Sequence, residues 1–308
     1  MLPETDFINR HIGPRKEETK SMLEAMGLKN LDELIEKTIP KNIKNNKDLD
    51  VGEPMSEARY LEHIQSLGRK NKTYRSYIGL GYYNNILPGV IQRNILENPG
   101  WYTAYTPYQA EISQGILQAL FEFQSLVCDL TEMELANASL YDGATSIAEA
   151  ISVAINKTKR DEIVISSGLH PNCKEVINTL IDNQKFNIKY IDLDDFHFPK
   201  DYDFSESDAA FVVSYPHYEG SAEDLSELVI KAKDKGLVTI CYVDPTLLGI
   251  LKTPGNMGFD IVVAEGQSIG TPLSFGGPTV GWFATKKEYA RLVPGRIIGE
   301  SRDSNNMK

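Results

Sequence analysis

Two short segments of this chain carry residues of the right type and spacing for coenzyme chemistry. In YVDPTLLG, Asp244 closes the apolar run LVTICYV, which reads as a buried strand, and open α/β sheets place their ligand crevice at the carboxyl ends of their strands. A carboxylate there could keep a pyridine nitrogen protonated and turn the ring into an electron sink, as pyridoxal-phosphate chemistry requires. It could equally cap the amides of Thr246 or Leu247 ahead of the turn at Pro245, and the residue alone leaves both readings open. In YDGATSIAEA, Asp142 and Gly143 make a turn and Ala144, Thr145 and Ser146 open a helix. Free amides and small hydroxyls at a helix start can hold a phosphate. An ordinary Asp-Gly turn with a Thr/Ser cap accounts for the same letters. The position just ahead of an αβ region is what favours the phosphate.

The nucleophile such a site needs is missing. No lysine occurs between Lys252 and Lys286, and in AEGQSIGTPLSFGGPTVGWFA the natural position for one is held by Gln267 and Ser268. Neither an amide nor a hydroxyl can form a Schiff base. Lys252 follows Asp244 too closely, Lys286 and Lys287 lie beyond the next strand, and these read as solvated surface charges. His170 in GLHPN and His217 in SYPHYEG each follow an expected strand and could stack on a pyridine ring. A cap or turn role is the alternative, preferred for His170 and left open for His217. His11, His63 and His197 share no ligand spacing with an acid or a cysteine, so no metal site is expected. Cys128, Cys173 and Cys241 form no C-x-x-C pair and read as structural thiols. Dinucleotide, Walker, nucleophile-elbow and zinc-protease motifs are all missing from the sequence.

The elements that must position these residues follow from periodicity. Helical spacing marks residues 17–27, 31–40 and Met55 to Gly68, the last with Ser56 as cap and Ala58, Leu61, Ile64, Gln65 and Leu67 toward its buried side. Seven of the 15 tyrosines then fall between Tyr74 and Tyr108 among glycines and prolines, a composition that builds rigid amphipathic walls. Within and after this block, 86–97 and 112–130 read as helices. Farther on, β-branched runs at 163–166, 188–191, 209–214, 237–243 and 261–265 alternate with helical stretches at 146–156, 171–183 and 223–235. That alternation specifies a mostly parallel sheet covered on both faces. The expected organisation is an N-terminal helical arm over residues 1–72, one α/β large domain over 73–302, and a polar tail over 303–308. A net charge of −11 disfavours nucleic acid as a partner. No apolar run approaches a membrane span, the N-terminus lacks a signal-peptide core, and the cytoplasm is the expected compartment.

Four longer strings carry a resemblance: FINRHIGPRKEETKSMLEAMG, SYIGLGYYNNILPGVIQRNILENPGWYTAYTPYQAEISQG, LANASLYDGATSIAEA and EGQSIGTPLSFGGPTVG. On these the chain resembles the glycine dehydrogenase (decarboxylating) family, the P-protein of the glycine cleavage system, and within it the first half, or subunit 1. The resemblance implies a fold-type-I aminotransferase-like large domain. It implies a lysine-bearing partner, subunit 2, which holds pyridoxal 5'-phosphate, decarboxylates glycine and passes the aminomethyl group to the lipoyl group of the H-protein. No catalytic residue is then assigned to this chain. Tyr77, Tyr105, Tyr108, Gln109, Thr145 and Asp244 become vestigial or interface-lining candidates for coenzyme binding, with the Tyr77 to Gln109 block at the mouth of the partner's site. Relatives of subunit 1 continue past GRIIGES into a further domain, so a truncated or a naturally short form is expected. A structural or regulatory subunit with a vestigial pocket is the second reading.

Overall fold

The computed structural model describes residues 11, 13–47, 49–181, 186–302 and 304–306. The chain divides into two compact units, Met1–Tyr77 and Ile78–Lys308.

The first unit is helical. Lys16–Ala25 and Leu31–Thr38 are joined at Asn30, whose side chain accepts the Glu33 amide at 2.8 Å, and Glu57–Gly68 is capped by Ser56. Those caps satisfy amides that a helix start leaves free. The helix at 57–68 corrects one expectation: none of its side chains is buried, and Leu61, Ile64 and Leu67 are exposed. Periodicity reports which residues share a face, not what covers it.

The second unit contains a seven-stranded sheet. Its strands are β1 (Leu135–Ala136), β2 (Glu162–Ser166), β3 (Asn187–Ile191), β4 (Asp208–Tyr215), β5 (Val238–Val243), β6 (Ile261–Glu265) and β7 (Gly281–Thr285), in the order β1-β7-β6-β5-β4-β2-β3. Pairing from β3 through β6 is parallel, while β7 runs antiparallel to both β6 and β1. The expected mostly parallel α/β sheet is therefore the observed one. β4 is buried at all eight positions, as a strand covered on both faces must be. One face packs the 143–158 helix (Gly143–Thr158) through Ile147, Ile151 and Ala154 against Ile163, Val212 and Ile240. The other packs Phe198, Phe211, Leu228, Met257 and Trp282.

Several boundaries differ from expectation for identifiable reasons. Residues 86–97 do not form one helix: the chain stays extended to Pro88, turns once over Gly89–Ile91 and widens into a π-helix over Gln92–Leu96. A proline fits the start of a helix and not its interior. The helix placed at 146–156 spans Gly143–Thr158, because Asp142 caps it earlier. The one placed at 223–235 begins only at Ser226, where the Asp224 carboxylate accepts the Ser226 amide at 3.0 Å. The helix placed at 171–183 is Pro171–Ile181, with 182 and 183 outside the described residues, as are 303, 307 and 308 of the polar tail. β1, two residues long, had no periodicity to announce it.

Candidate functional site

The carboxyl ends of β2, β4, β5 and β6 and the start of the 143–158 helix converge on a cavity of about 280 Å³, at the small end of the roughly 300–1,000 Å³ of ligand pockets. Tyr82, Tyr83 and Asn85 reach it from the tyrosine-rich block, and His170, Cys173, His217, Tyr242, Asp244, Glu265, Gln267 and Ser268 from the strand ends. The sequence therefore placed Asp244, both histidines and the Gln267-Ser268 pair at one locus.

Asp244 performs the capping role: its carboxylate accepts the Thr246 amide at 2.9 Å and the Thr246 hydroxyl at 2.8 Å. It still faces the cavity, with Ser268 Oγ at 3.5 Å. Gln267, buried on the turn after β6, donates through Nε2 to the carbonyls of Tyr83 at 3.1 Å and Thr271 at 2.8 Å. Asn85 donates to Gln267 O at 2.6 Å and Thr271 O at 3.1 Å. The glutamine amide thus ties the tyrosine-rich segment to the turn, a task a lysine ammonium with no acceptor could share only through its donors.

His170 Nδ1 accepts the Asn172 amide at 3.1 Å, so Nε2 carries the proton and donates to Leu80 O at 2.5 Å. Its ring meets Tyr218 edge-on, with centroids 5.0 Å apart. His217, left open by the sequence, is buried and pairs through Nε2 with Glu223 Oε1 at 3.0 Å. Its Nδ1 and Glu223 Oε2 are buried without a hydrogen-bond partner among the described residues. Burial pushes the Cys173 thiol up to about 12, which keeps it protonated at neutral pH.

The helix start carries the observation that sequence reading missed. Asp142 Oδ1 accepts the Thr145 amide at 2.7 Å, and Oδ2 accepts the Thr145 hydroxyl at 2.7 Å. Glu265, the last residue of β6, accepts the Gly143 amide at 2.9 Å through Oε2, and the Gln267 and Val280 amides at 2.9 and 3.4 Å through Oε1. Burial pushes the Glu265 carboxyl up against the effect of those three amides. Gly143 permits this approach: a Cβ there would lie 2.8 Å from the Glu265 nitrogen and 2.9 Å from the Tyr242 ring. A carboxylate one residue before the Gly-Gln turn, level with the Asp-Gly helix start, was the available signal.

Pyridoxal phosphate does not fit this crevice. Among the described residues the lining contains no lysine, and the Gly143 and Thr145 amides at the helix start are held by two carboxylates. Asp244 lines the crevice, and Thr145 directly follows the lining residue Ala144. Tyr105, Tyr108 and Gln109 do not line it: Tyr105 lies in a separate shallow groove with Trp101 and Ile112, and Tyr108 packs under Arg296, 5.5 Å from its ring, with all three residues exposed. Tyr77 is 88% exposed in the first unit.

Away from the crevice, Lys286 corrects the reading of a solvated charge. Its Nζ and that of Lys233 each lie 2.9 Å from the same oxygen of buried Asp260. Lys252 pairs at the surface with Asp224 at 2.9 Å, consistent with its expected exposure.

The sequence profile of the glycine cleavage system P-protein matches residues 9–308. The chain belongs to that family. It is 44% identical over 302 residues to the glycine dehydrogenase (decarboxylating) of Nostoc punctiforme, covering 97% of this chain and 30% of that protein. It is 42% identical over 307 residues to the mitochondrial glycine dehydrogenase (decarboxylating) of Gallus gallus, covering 99% and 29%. This P-protein family chain thus spans about 30% of the length of the curated relatives it matches. A crystal structure of glycine decarboxylase (P-protein) of the glycine cleavage system, in inhibitor-bound form, superposes with a TM-score of 0.88 at 36% identity, over 96% of this chain and 67% of that one. A Burkholderia pseudomallei sphingosine-1-phosphate lyase shares the fold at a TM-score of 0.59 and 14% identity, over 81% and 62%.

Proposed function

We propose that this chain is subunit 1 of a two-part glycine decarboxylase, the subunit without the coenzyme-anchoring lysine. Subunit 2 holds pyridoxal 5'-phosphate through its own lysine and decarboxylates glycine, and the lipoyl group of the H-protein accepts the aminomethyl product. The single observation that supports this most is Gln267: the coenzyme's lysine position is filled by an amide already committed to Tyr83 and Thr271. Membership of the P-protein family supports the reaction class. In this reading residues 1–72 form an arm and 73–302 the large domain. Thr145 and Asp244 are remnants of a coenzyme site, while Tyr77, Tyr105, Tyr108 and Gln109 line the mouth of the partner's site. The exposure of those tyrosines suits a surface that a partner covers. The compartment proposed is the cytoplasm.

The test is borohydride reduction of the assembled complex with coenzyme and glycine, followed by mass spectrometry of each chain. The pyridoxyl label is expected on the partner alone, with turnover only on mixing the two. A label on any lysine of this chain rejects the proposal.

A further inference from the structure

The crevice keeps the architecture of an anion site yet carries a carboxyl group of its own there. At the amino end of a 16-residue helix, partial positive charge and outward-pointing amides favour a phosphate. Here the Gly143 amide is engaged by Glu265 and the Thr145 amide by Asp142. Glu265 also gathers the amides of Gln267 and Val280, so one carboxylate joins the helix start, the turn after β6 and the approach to β7. A phosphate ester entering this corner would face two carboxylates and would have to displace the Gly143 bond, and such charge-assisted bonds are the strong ones. Asp244 lines the same cavity as Glu265.

We propose that Glu265 is the specificity-determining residue that closes this crevice to phosphorylated ligands, acting as a built-in substitute for the phosphate. The proposal rests on and deepens the reading of a subunit without the coenzyme-anchoring lysine. It adds that exclusion of the coenzyme does not depend on the missing lysine: the crevice rejects the phosphate as well as lacking the covalent anchor.

The probes are pyridoxamine 5'-phosphate and pyridoxamine, which cannot form Schiff bases with surface lysines and differ only in the phosphate. Their binding to the whole chain is measured by equilibrium dialysis for wild type, Glu265→Gln and Glu265→Ala, each checked for folding by circular dichroism. Wild type is expected to show no preference for the phosphorylated probe. Both variants are expected to prefer it by about tenfold or more, the worth of one hydrogen bond to a charged group. Glu265→Gln conserves the side chain's size and one of its two acceptor oxygens, so it guards against a variant that does not fold. A wild-type chain that already prefers the phosphorylated probe overturns the proposal, and so does a folded Glu265→Gln chain without preference. Neither outcome bears on where the lysine lies, which the borohydride label decides separately.

Discussion

Asp260 illustrates how far single residues depart from what their letters suggest. It sits one residue before β6, and its Oδ2 accepts the amide and hydroxyl of Thr239 at 3.0 and 2.9 Å. Burial opposes its ionisation, but the Thr239 amide and the ammonium groups of Lys233 and Lys286 prevail and hold its carboxyl below the usual range. Burial and the neighbouring Lys286 in turn keep Lys233 below the usual lysine value. A carboxyl with a depressed folded-state pKa contributes stability above its unfolded value, and that contribution is lost as pH falls through the folded value. Asp260→Asn leaves two lysines without their counter-charge. It is expected to destabilise the chain by about 3 kcal/mol at neutral pH, the low end for a broken buried pair because both lysines keep some solvent. The penalty should shrink as the medium is acidified below the carboxylate range. Urea midpoints at neutral and acid pH measure both effects, and a pH-independent difference would refute the charge argument.

At the scale of elements, the antiparallel strand β7 is what backs the start of the 143–158 helix. Gly281 opens β7 against Glu265 and Leu140. A Cβ at Gly281 would run into Ser146 Oγ and the carbonyl of Asp142. The Asp142 carbonyl is backbone and accepts the Ser146 amide at 3.0 Å, so it cannot yield without unseating the helix start. Gly281→Ala is therefore expected to cost about 1–3 kcal/mol through overpacking. A drop in melting temperature with unchanged far-ultraviolet dichroism would register it, whereas a silent substitution would mean that the strand and helix are free to part. The parallel strands and their helices were legible because their period and composition match their burial. The π-helical turn at Gln92–Leu96 and the two-residue β1 were not, because neither has enough residues to express a period.

For the whole molecule, the outstanding property is exposed aromatic surface. Tyr102, Tyr105 and Tyr108 are 66, 58 and 72% exposed, and Ile86 is 93% exposed. Tyr105 and Tyr108 meet edge-on with centroids 6.4 Å apart, and Arg296 donates to the Pro107 carbonyl beside them. Such a pre-set aromatic pair loses little conformational freedom on being covered. Under the proposed assembly, Tyr105→Ala or Tyr108→Ala should weaken association with the lysine-bearing partner by about 1–2 kcal/mol, as interface anchors do. The Phe variants should assemble normally. Dissociation constants from sedimentation, with turnover measured on assembled complex, separate the roles. Altered turnover with intact assembly supports a mouth-lining role, and unchanged turnover supports a scaffold.

Sequence alone determined the α/β class, the crevice at the strand ends, the lack of any lysine between Lys252 and Lys286 and the resemblance to the P-protein family. Each is a property of one segment or of an ordered series of segments. What occupies the start of the 143–158 helix was decided only in three dimensions. Glu265 lies 122 positions from the Gly143 amide it accepts, and Gln267 lies 184 from the Tyr83 carbonyl it holds. Hydrogen bonds across such separations leave no periodicity in the letters and exist only once the sheet brings its strand ends together.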